Sequence, residues 1–202
     1  MPSGVEQVEP QRIRLRDGAE LLIRQVGPAD KGLIAGGVER LSAKSRYRRF
    51  FRPLDRLSQR DLVYLTEIDH HDHEALAAID PERGELIGVT RYVRSADPTE
   101  AEVSVVVRDD WQRRGLATAL LTELTRRARA NGVRRYTALV SADNGVVLEA
   151  LERLGARQMT SPRRALQRPP RAFSCRRGDT AEPFVRAGKR LARRRGQTRL
   201  PT

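Results

Sequence analysis

The chain has one cysteine, Cys175, one tryptophan, Trp111, and three histidines in 202 residues. A single cysteine excludes an intramolecular disulfide, and a reducing, cytoplasmic setting is the simplest expectation. Aromatic residues make up only 4% of the chain. No run approaches the ~20 apolar residues of a membrane span. The N-terminus, MPSGVEQVEPQ, lacks the apolar core of a secretory signal. There is no internal repeat. What is present, 39% hydrophobic and 32% charged residues, fits a soluble domain with a modest core and additions to it.

The net charge of +13 invites a nucleic-acid reading, but its distribution argues otherwise. Residues 158–202 hold 13 of the 39 basic side chains and only 2 of the 26 acidic ones. The first 157 residues are nearly neutral. The basicity belongs to a Pro-, Gly- and Arg-rich tail without apolar period, expected to be mostly disordered. The expected organisation is a flexible segment 1–11, one domain over 12–157, and the tail 158–202.

Leu21–Val26 reads as a strand, and Pro28-Ala29-Asp30 opens a helical stretch. Short helices are expected around Lys31–Leu41 and Gln59–Leu65, with Ser45–Phe51 between them, broken by Pro53. Ala75–Ile79 and Leu86–Val93 form a strand pair across the turn Asp80–Gly84. Glu102–Val107 is a β-branched strand. Leu116, Leu120, Leu124 and Ala128 then recur every fourth residue, the stripe of an amphipathic helix ended by Asn131-Gly132. Tyr136–Val140 is another strand. Asp143 or Asn144 caps a last helix whose apolar face includes Val147, Leu148, Leu151 and Leu154. This order is that of an α/β (α+β) domain.

Chemistry concentrates at Gln112-Arg113-Arg114-Gly115-Leu116-Ala117, between a strand and a helix. The first turn of a helix has N–H groups without partners, and these, with the positive end of the dipole, suit a phosphate. Gly115 permits close approach of an anion. Taken alone, the turn is as compatible with an ordinary connection. It lacks the Gly-Lys-Ser/Thr of a Walker loop and the Gly-x-Gly-x-x-Gly dinucleotide pattern.

The run Val103–Ala156 resembles the GNAT superfamily of N-acetyltransferases. Gln112–Ala117 is similar to its Gln/Arg-x-x-Gly-x-Gly/Ala signature, and Asn144, eleven residues before Gly155, resembles the start of its second CoA-side helix. The resemblance implies a GNAT fold, a mixed central sheet flanked by helices, and acetyl-CoA as substrate with no metal. It implies that main-chain groups of Val105, Val106 and Val107 bind the pantetheine arm. The backbone of Gln112, Arg113, Arg114, Gly115, Leu116, Ala117 and Thr118 would cradle the pyrophosphate, and Asn144 would approach the pantetheine or the departing thiol. The family often has a tyrosine seven residues after that asparagine; here it is Leu151, a core residue. Ser45–Phe51, Leu62–Thr66 and Asp69–Leu76 further resemble the bacterial protein lysine acetyltransferase group.

Acetyl transfer needs a neutral amine. At pH 7 about one lysine in 2,500 is neutral, a cost of roughly 4–5 kcal/mol, so a carboxylate base is useful. Alternation puts Glu102 on the face opposite Val103, Val105 and Val107, and the lysine acetyltransferase group has its catalytic glutamate at the matching position. The plainer alternative for Glu102 is a solvated strand-end side chain. Asp69-His70-His71-Asp72-His73 suggests a metal, yet five adjacent residues cannot all converge; a loop lining the acceptor site or a solvated turn is expected instead. Trp111 is expected to pack at the turn. Three functions follow: transfer to a protein lysine, transfer to a small amine, or a non-catalytic CoA-binding module whose basic tail binds nucleic acid or another anionic partner.

Overall fold

A computed structural model describes residues 9–153, 156–159 and 171–176. Eight strands form one sheet: β1 (Gln11–Arg14), β2 (Glu20–Gln25), β3 (His73–Asp80), β4 (Glu85–Arg94), β5 (Glu100–Val107), β6 (Arg135–Val140), β7 (Arg157–Met159) and β8 (Arg171–Arg176). Their spatial order is β1-β2-β3-β4-β5-β6-β8-β7. Among the described residues only β5 and β6 pair in parallel. Among the described residues the α-helices are α1 (Lys31–Glu39), α2 (Ala43–Phe50), α3 (Gln59–Thr66), α4 (Leu116–Ala130) and α5 (Gly145–Arg153).

The sequence periods account for the two layers. On one face α4 buries its fourfold stripe, Leu116, Leu120, Leu124 and Ala128, against Leu76, Ala78, Ile87 and Tyr92 of the central strands. Full burial of each leucine is worth roughly 1.5–3 kcal/mol. Gly88 allows the helix to sit this close, because a Cβ there would lie 3.3 Å from Leu120 Cδ1 and 3.0 Å from the Val106 carbonyl oxygen. The other face of β3 and β4, with Ala75, Ala77 and Val89, is covered by Ile34 of α1 and Leu65 of α3. A third cluster seats Leu148 and Leu151 of α5 on Val140 of β6, so Leu151 is core, as expected.

The starts of α1, α2 and α3 each have a side-chain cause. Ser42 and Ser58 accept the N3 amide hydrogens of α2 and α3, and Asp61 completes a capping box on α3. α2 ends at Phe51, whose φ of 52° leaves the helical region two residues before Pro53. Asp30 receives both Nη groups of Arg24, at 2.7 and 2.6 Å, and the Gly27 amide at 2.8 Å, which fixes the entry to α1.

Two of the strands extend past residue 157. β8 lies wholly, and β7 partly, inside the segment read as tail, and β8 pairs along all of β6, from Arg135↔Arg176 to Val140↔Arg171. A strand around Ala172-Phe173-Ser174 therefore closes the sheet. Residues 160–170 and 177–202, with the rest of the tail expectation, lie outside the described residues, as do residues 1–8 of the N-terminal segment. Among the described residues no helix is long and apolar enough to cross a membrane.

Candidate functional site

The central irregularity of the sheet is between β5 and β6. They pair over three rungs only, Glu100↔Arg135, Ala101↔Tyr136 and Glu102↔Thr137. Beyond that point β5 continues to Val107 against β4, and β6 continues to Val140 against β8. The two strands part after Glu102 and leave a wedge-shaped gap between them.

Strand alternation decides which groups face the gap. The Arg108 amide donates to the Ile87 carbonyl at 2.9 Å, and the β4–β5 register is unbroken. Even-numbered residues of β5 therefore turn their main-chain groups toward β4, and Val103, Val105 and Val107 turn theirs toward the gap. Val106 differs from Val105 and Val107 in this: its main chain belongs to β4. The Val107 carbonyl accepts from Gln112 Nε2 at 3.1 Å, so the Gln112 side chain seals the strand end.

At that end the chain turns through Asp109–Trp111 into α4. Arg113 has φ 64° and Gly115 has φ 95°. α4 starts from Gly115 without a side-chain cap. The amides from Arg113 to Thr118 precede the helical ladder, which begins when the Ala119 amide meets the Gly115 carbonyl at 3.1 Å. Two positive-φ residues, Arg113 and Gly115, ahead of an uncapped helix leave a concave nest of donors. Leu116, 1% exposed, anchors the turn in the core, and Ala117 packs beside it. The Arg114 guanidinium lies 4.0 Å from the centre of the Trp111 ring and pairs with Asp17. Trp111 thus packs at the turn, as expected. Asn144 stands on the opposite lip, past the end of β6. Its amide donates to Ser141 and its carbonyl accepts the Val147 and Leu148 amides, which starts α5.

Helix α2 bridges the two lips, a role not visible in sequence. Asp109 accepts from the Ser42 amide (2.9 Å), the Ser42 hydroxyl (2.9 Å) and the Ser45 hydroxyl (2.7 Å). Arg48 reaches Asp143 at 2.9 Å. Burial pushes the Asp109 carboxyl up, but these serine donors outweigh it and its pKa is lowered. Ser141 and then Arg48 lower that of Asp143.

Glu102 occupies the last shared rung, where the strands separate. Its side chain is exposed and lies on the face of Ser104 and Val106, opposite Val93 and Thr137. That face also carries Arg91 and His73. Arg91, 4% exposed, donates to His73 Nε2 at 2.8 Å and to the Leu65 carbonyl at 3.1 Å. Burial first, and the Arg91 charge second, bring the His73 pKa down to about 4. The ring is therefore neutral at pH 7, and its proton sits on Nδ1 while Nε2 accepts. Tyr64 leans on His73 with ring centres 5.2 Å apart.

The Asp69–His73 segment separates into individual roles. Asp69 Oδ1 accepts the amides of His71, Asp72 and His73 at 2.8–2.9 Å, which folds the turn around one carboxylate. His70 Nδ1 is 2.8 Å from buried Glu74. His71 is exposed beside Asp72, and only His73 turns toward Arg91. Among the described residues no group of three His, Cys, Asp or Glu is placed to hold a metal.

A mixed sheet whose parallel pair parts beside a donor-lined helix start is the architecture of an acyl-transfer domain. Residues 41–156 match the model of the Acetyltransferase (GNAT) family, and the chain belongs to that family. It is 33% identical over 150 residues to Acetyltransferase Pat of Mycolicibacterium smegmatis, covering 74% of this chain and 45% of that protein. The chain thus spans under half the length of that relative. It is 32% identical over 143 residues to Acetyltransferase PA5475 of Pseudomonas aeruginosa, covering 70% of this chain and 77% of the relative. Among solved structures, the GNAT domain of S. lividans PAT superposes with a TM-score of 0.74 at 31% identity, covering 83% of this chain and 96% of that one.

Proposed function

We propose that the chain is an acetyl-CoA-dependent N-acetyltransferase whose acceptor is a protein lysine and whose base is Glu102. The observation that carries this reading is the coincidence of three features at one gap: Glu102 on its last closed rung, the free edge of Val103 and Val105, and the donor nest from Arg113 to Thr118. The nest suits the pyrophosphate of the coenzyme. The Val103 and Val105 main chain offers strand-like pairing to the amides of the pantetheine arm, and Asn144 faces that arm from the other lip. The thioester then lies near the apex of the wedge, where Glu102 stands.

The reaction needs no covalent enzyme intermediate. The amine nitrogen attacks the thioester carbonyl, the carbon–sulfur bond breaks, and the thiolate departs. The proton lost by the ammonium goes to Glu102, directly or through one water. Supplying the neutral amine costs a lysine roughly 4–5 kcal/mol at pH 7, and a positioned base recovers about 10²–10⁴-fold in rate. A protein acceptor is favoured by the resemblance of Ser45–Phe51 and Asp69–Leu76 to lysine acetyltransferases; the structure draws part of both segments, α2 and His73, to this side of the site. Incubating the chain with radiolabelled acetyl-CoA and cell extract, then mapping the label by mass spectrometry, tests this. Label on lysine Nε atoms of a few proteins is the expected result. Label confined to small amines would overturn the protein acceptor, and no transfer to any amine would overturn the enzyme.

A further inference from the structure

On the face of the sheet that carries Glu102, two guanidinium groups have no carboxylate oxygen within 4.0 Å among the described residues. Several arginines of the domain are neutralised: Arg24, Arg48, Arg94, Arg108, Arg114 and Arg127 each lie within 4.0 Å of an Asp or Glu oxygen. Arg49 and Arg91 make no such pair among the described residues, although they are more deeply placed than most. Arg91 is 4% exposed, and its Nε has no hydrogen-bond partner. Both side chains line one cavity, whose apolar wall includes Ile34, Val38, Leu65 and Val106. The β4 residues of that wall run from Leu86 to Arg91, which puts Arg91 at the end nearest Glu102.

The two positive charges are felt. Burial, and then the charge of Arg49, bring the Arg91 pKa down to about 9. Burial likewise lowers that of Arg49, opposed by the negative charge of Glu102. Neutral His73 accepts one Arg91 donor, and the Leu65 carbonyl takes another. The guanidinium is thereby held in one orientation, with Nε left over. A fixed, desolvated and unneutralised guanidinium beside a second one is a receptor for a carboxylate, which accepts from two donors at once.

We propose that Arg49 and Arg91 form an anion subsite beside the base, and that the chain selects acceptor lysines with an aspartate or glutamate within about two residues. This rests on the reading of Glu102 as the acceptor end of the site. Arg91 is directly opposite Ser104, and so diagonal to Glu102, a separation of about 7–8 Å between such positions. Side chains two residues apart in an extended peptide are separated by about 7 Å. An acidic residue on the same side of the acceptor strand therefore reaches the two arginines while the lysine reaches Glu102. Tyr64, 56% exposed and seated on His73, supplies an aromatic rim for the peptide backbone.

The test is equilibrium binding, independent of turnover. Two fluorescein-labelled decapeptides, each with a central lysine and either glutamate or glutamine two positions to each side, are titrated with the full chain and followed by anisotropy. The glutamate peptide is expected to bind about tenfold or more tightly, with the preference shrinking as salt is raised. In Arg49→Gln the ratio of the two dissociation constants should fall to near one, and Arg49→Lys should restore part of it. Arg91→Lys is the second variant, since it keeps the charge that anchors α3 but loses the fork, and it should cut the ratio without abolishing it. Equal binding by the wild-type chain, or a preference that survives Arg49→Gln, would overturn the subsite. Free glutamate displacing the labelled peptide at concentrations comparable to an unlabelled one would move the ligand to a small amino acid and overturn the peptide assignment. A retained preference with no transfer to any amine would sink the enzymatic reading and leave the subsite standing.

Discussion

Gly115 and Gly132 flank α4 and form a matched pair for testing the donor nest. Gly115 has φ 95° and Gly132 has φ 85°, and a Cβ at either position would meet nothing within 4 Å. Alanine at each site therefore causes no clash; it imposes only the cost of a left-handed backbone on a residue with a side chain, about 1–2 kcal/mol. Reduced freedom in the unfolded chain returns about 0.4–1 kcal/mol of this, leaving a net loss of about 1 kcal/mol. For a chain of this size that lowers Tm by about 2–4 °C, and both variants should show it. They should differ in coenzyme binding. Strain relieved at Gly132 disturbs the helix end that faces the Asp69–His73 turn. Strain relieved at Gly115 reorients the amides from Arg113 to Thr118. Hydrogen bonds to a charged group contribute about 1.5–3 kcal/mol each, so losing the aim of one weakens acetyl-CoA about 10–100-fold. Differential scanning fluorimetry gives the Tm, and isothermal titration with acetyl-CoA gives Kd. Equal dissociation constants for the two variants would refute the nest as the coenzyme site.

Two stability predictions follow from the polar contacts. Asp30 is 5% exposed and accepts both Arg24 donors and the Gly27 amide. Asp30→Asn should therefore cost about 2 kcal/mol by urea unfolding, less than a fully buried pair because Arg24 is part-exposed; a loss below about 0.5 kcal/mol would contradict the pairing. His73, with its pKa brought down to about 4 from an ordinary 6.5, binds a proton more readily unfolded than folded between those values. Its contribution is complete above pH 6.5 and is lost as pH falls toward 4, by about 1 kcal/mol at pH 5 once its partial exposure is discounted. The urea midpoint of His73→Asn should fall less than that of the wild type between pH 7 and pH 5, and equal falls would contradict it. Asp30 and Asp109, whose pKa values are lowered, add losses only at lower pH, below about 4.

Where sequence and structure agree, the cause is local. The α4 stripe, the valine strand and the Gln112–Ala117 turn are fixed by short-range period and by a glycine with positive φ, and all three were legible. Asn144 was legible because it follows a strand and precedes an apolar helical face. β8 was weakly marked because its strand character comes from pairing along β6, and its partner is more than thirty residues away in sequence. The wedge itself has no local signal: Glu102 and Ser104 differ only in that one has a β6 neighbour and the other does not. Alternation placed Glu102 opposite Val103, Val105 and Val107, and the β5 register has it there. It did not separate Val106, turned to β4, from Val105 and Val107, because main-chain direction depends on which edge of β5 is paired. The tie of α2 to Asp109 and Asp143 and the meeting of Arg49 with Arg91 join distant segments, which no spacing reveals. The five polar residues from Asp69 to His73 read as one cluster in sequence, yet a single turn around Asp69 sends their side chains to different neighbours.

The most direct test of the central claim is Glu102→Gln, assayed for acetyl transfer to a lysine acceptor and, separately, for acetyl-CoA binding. The substitution keeps the shape of an exposed side chain at the apex of the wedge and removes its capacity to take a proton. Turnover at pH 7 should fall about 10²–10⁴-fold, with part of it recovered as pH rises and the free amine becomes abundant, while Kd for acetyl-CoA stays within about threefold of the wild-type value. Near-normal turnover at pH 7, or a loss matched by an equal loss of acetyl-CoA affinity, would contradict Glu102 as the base.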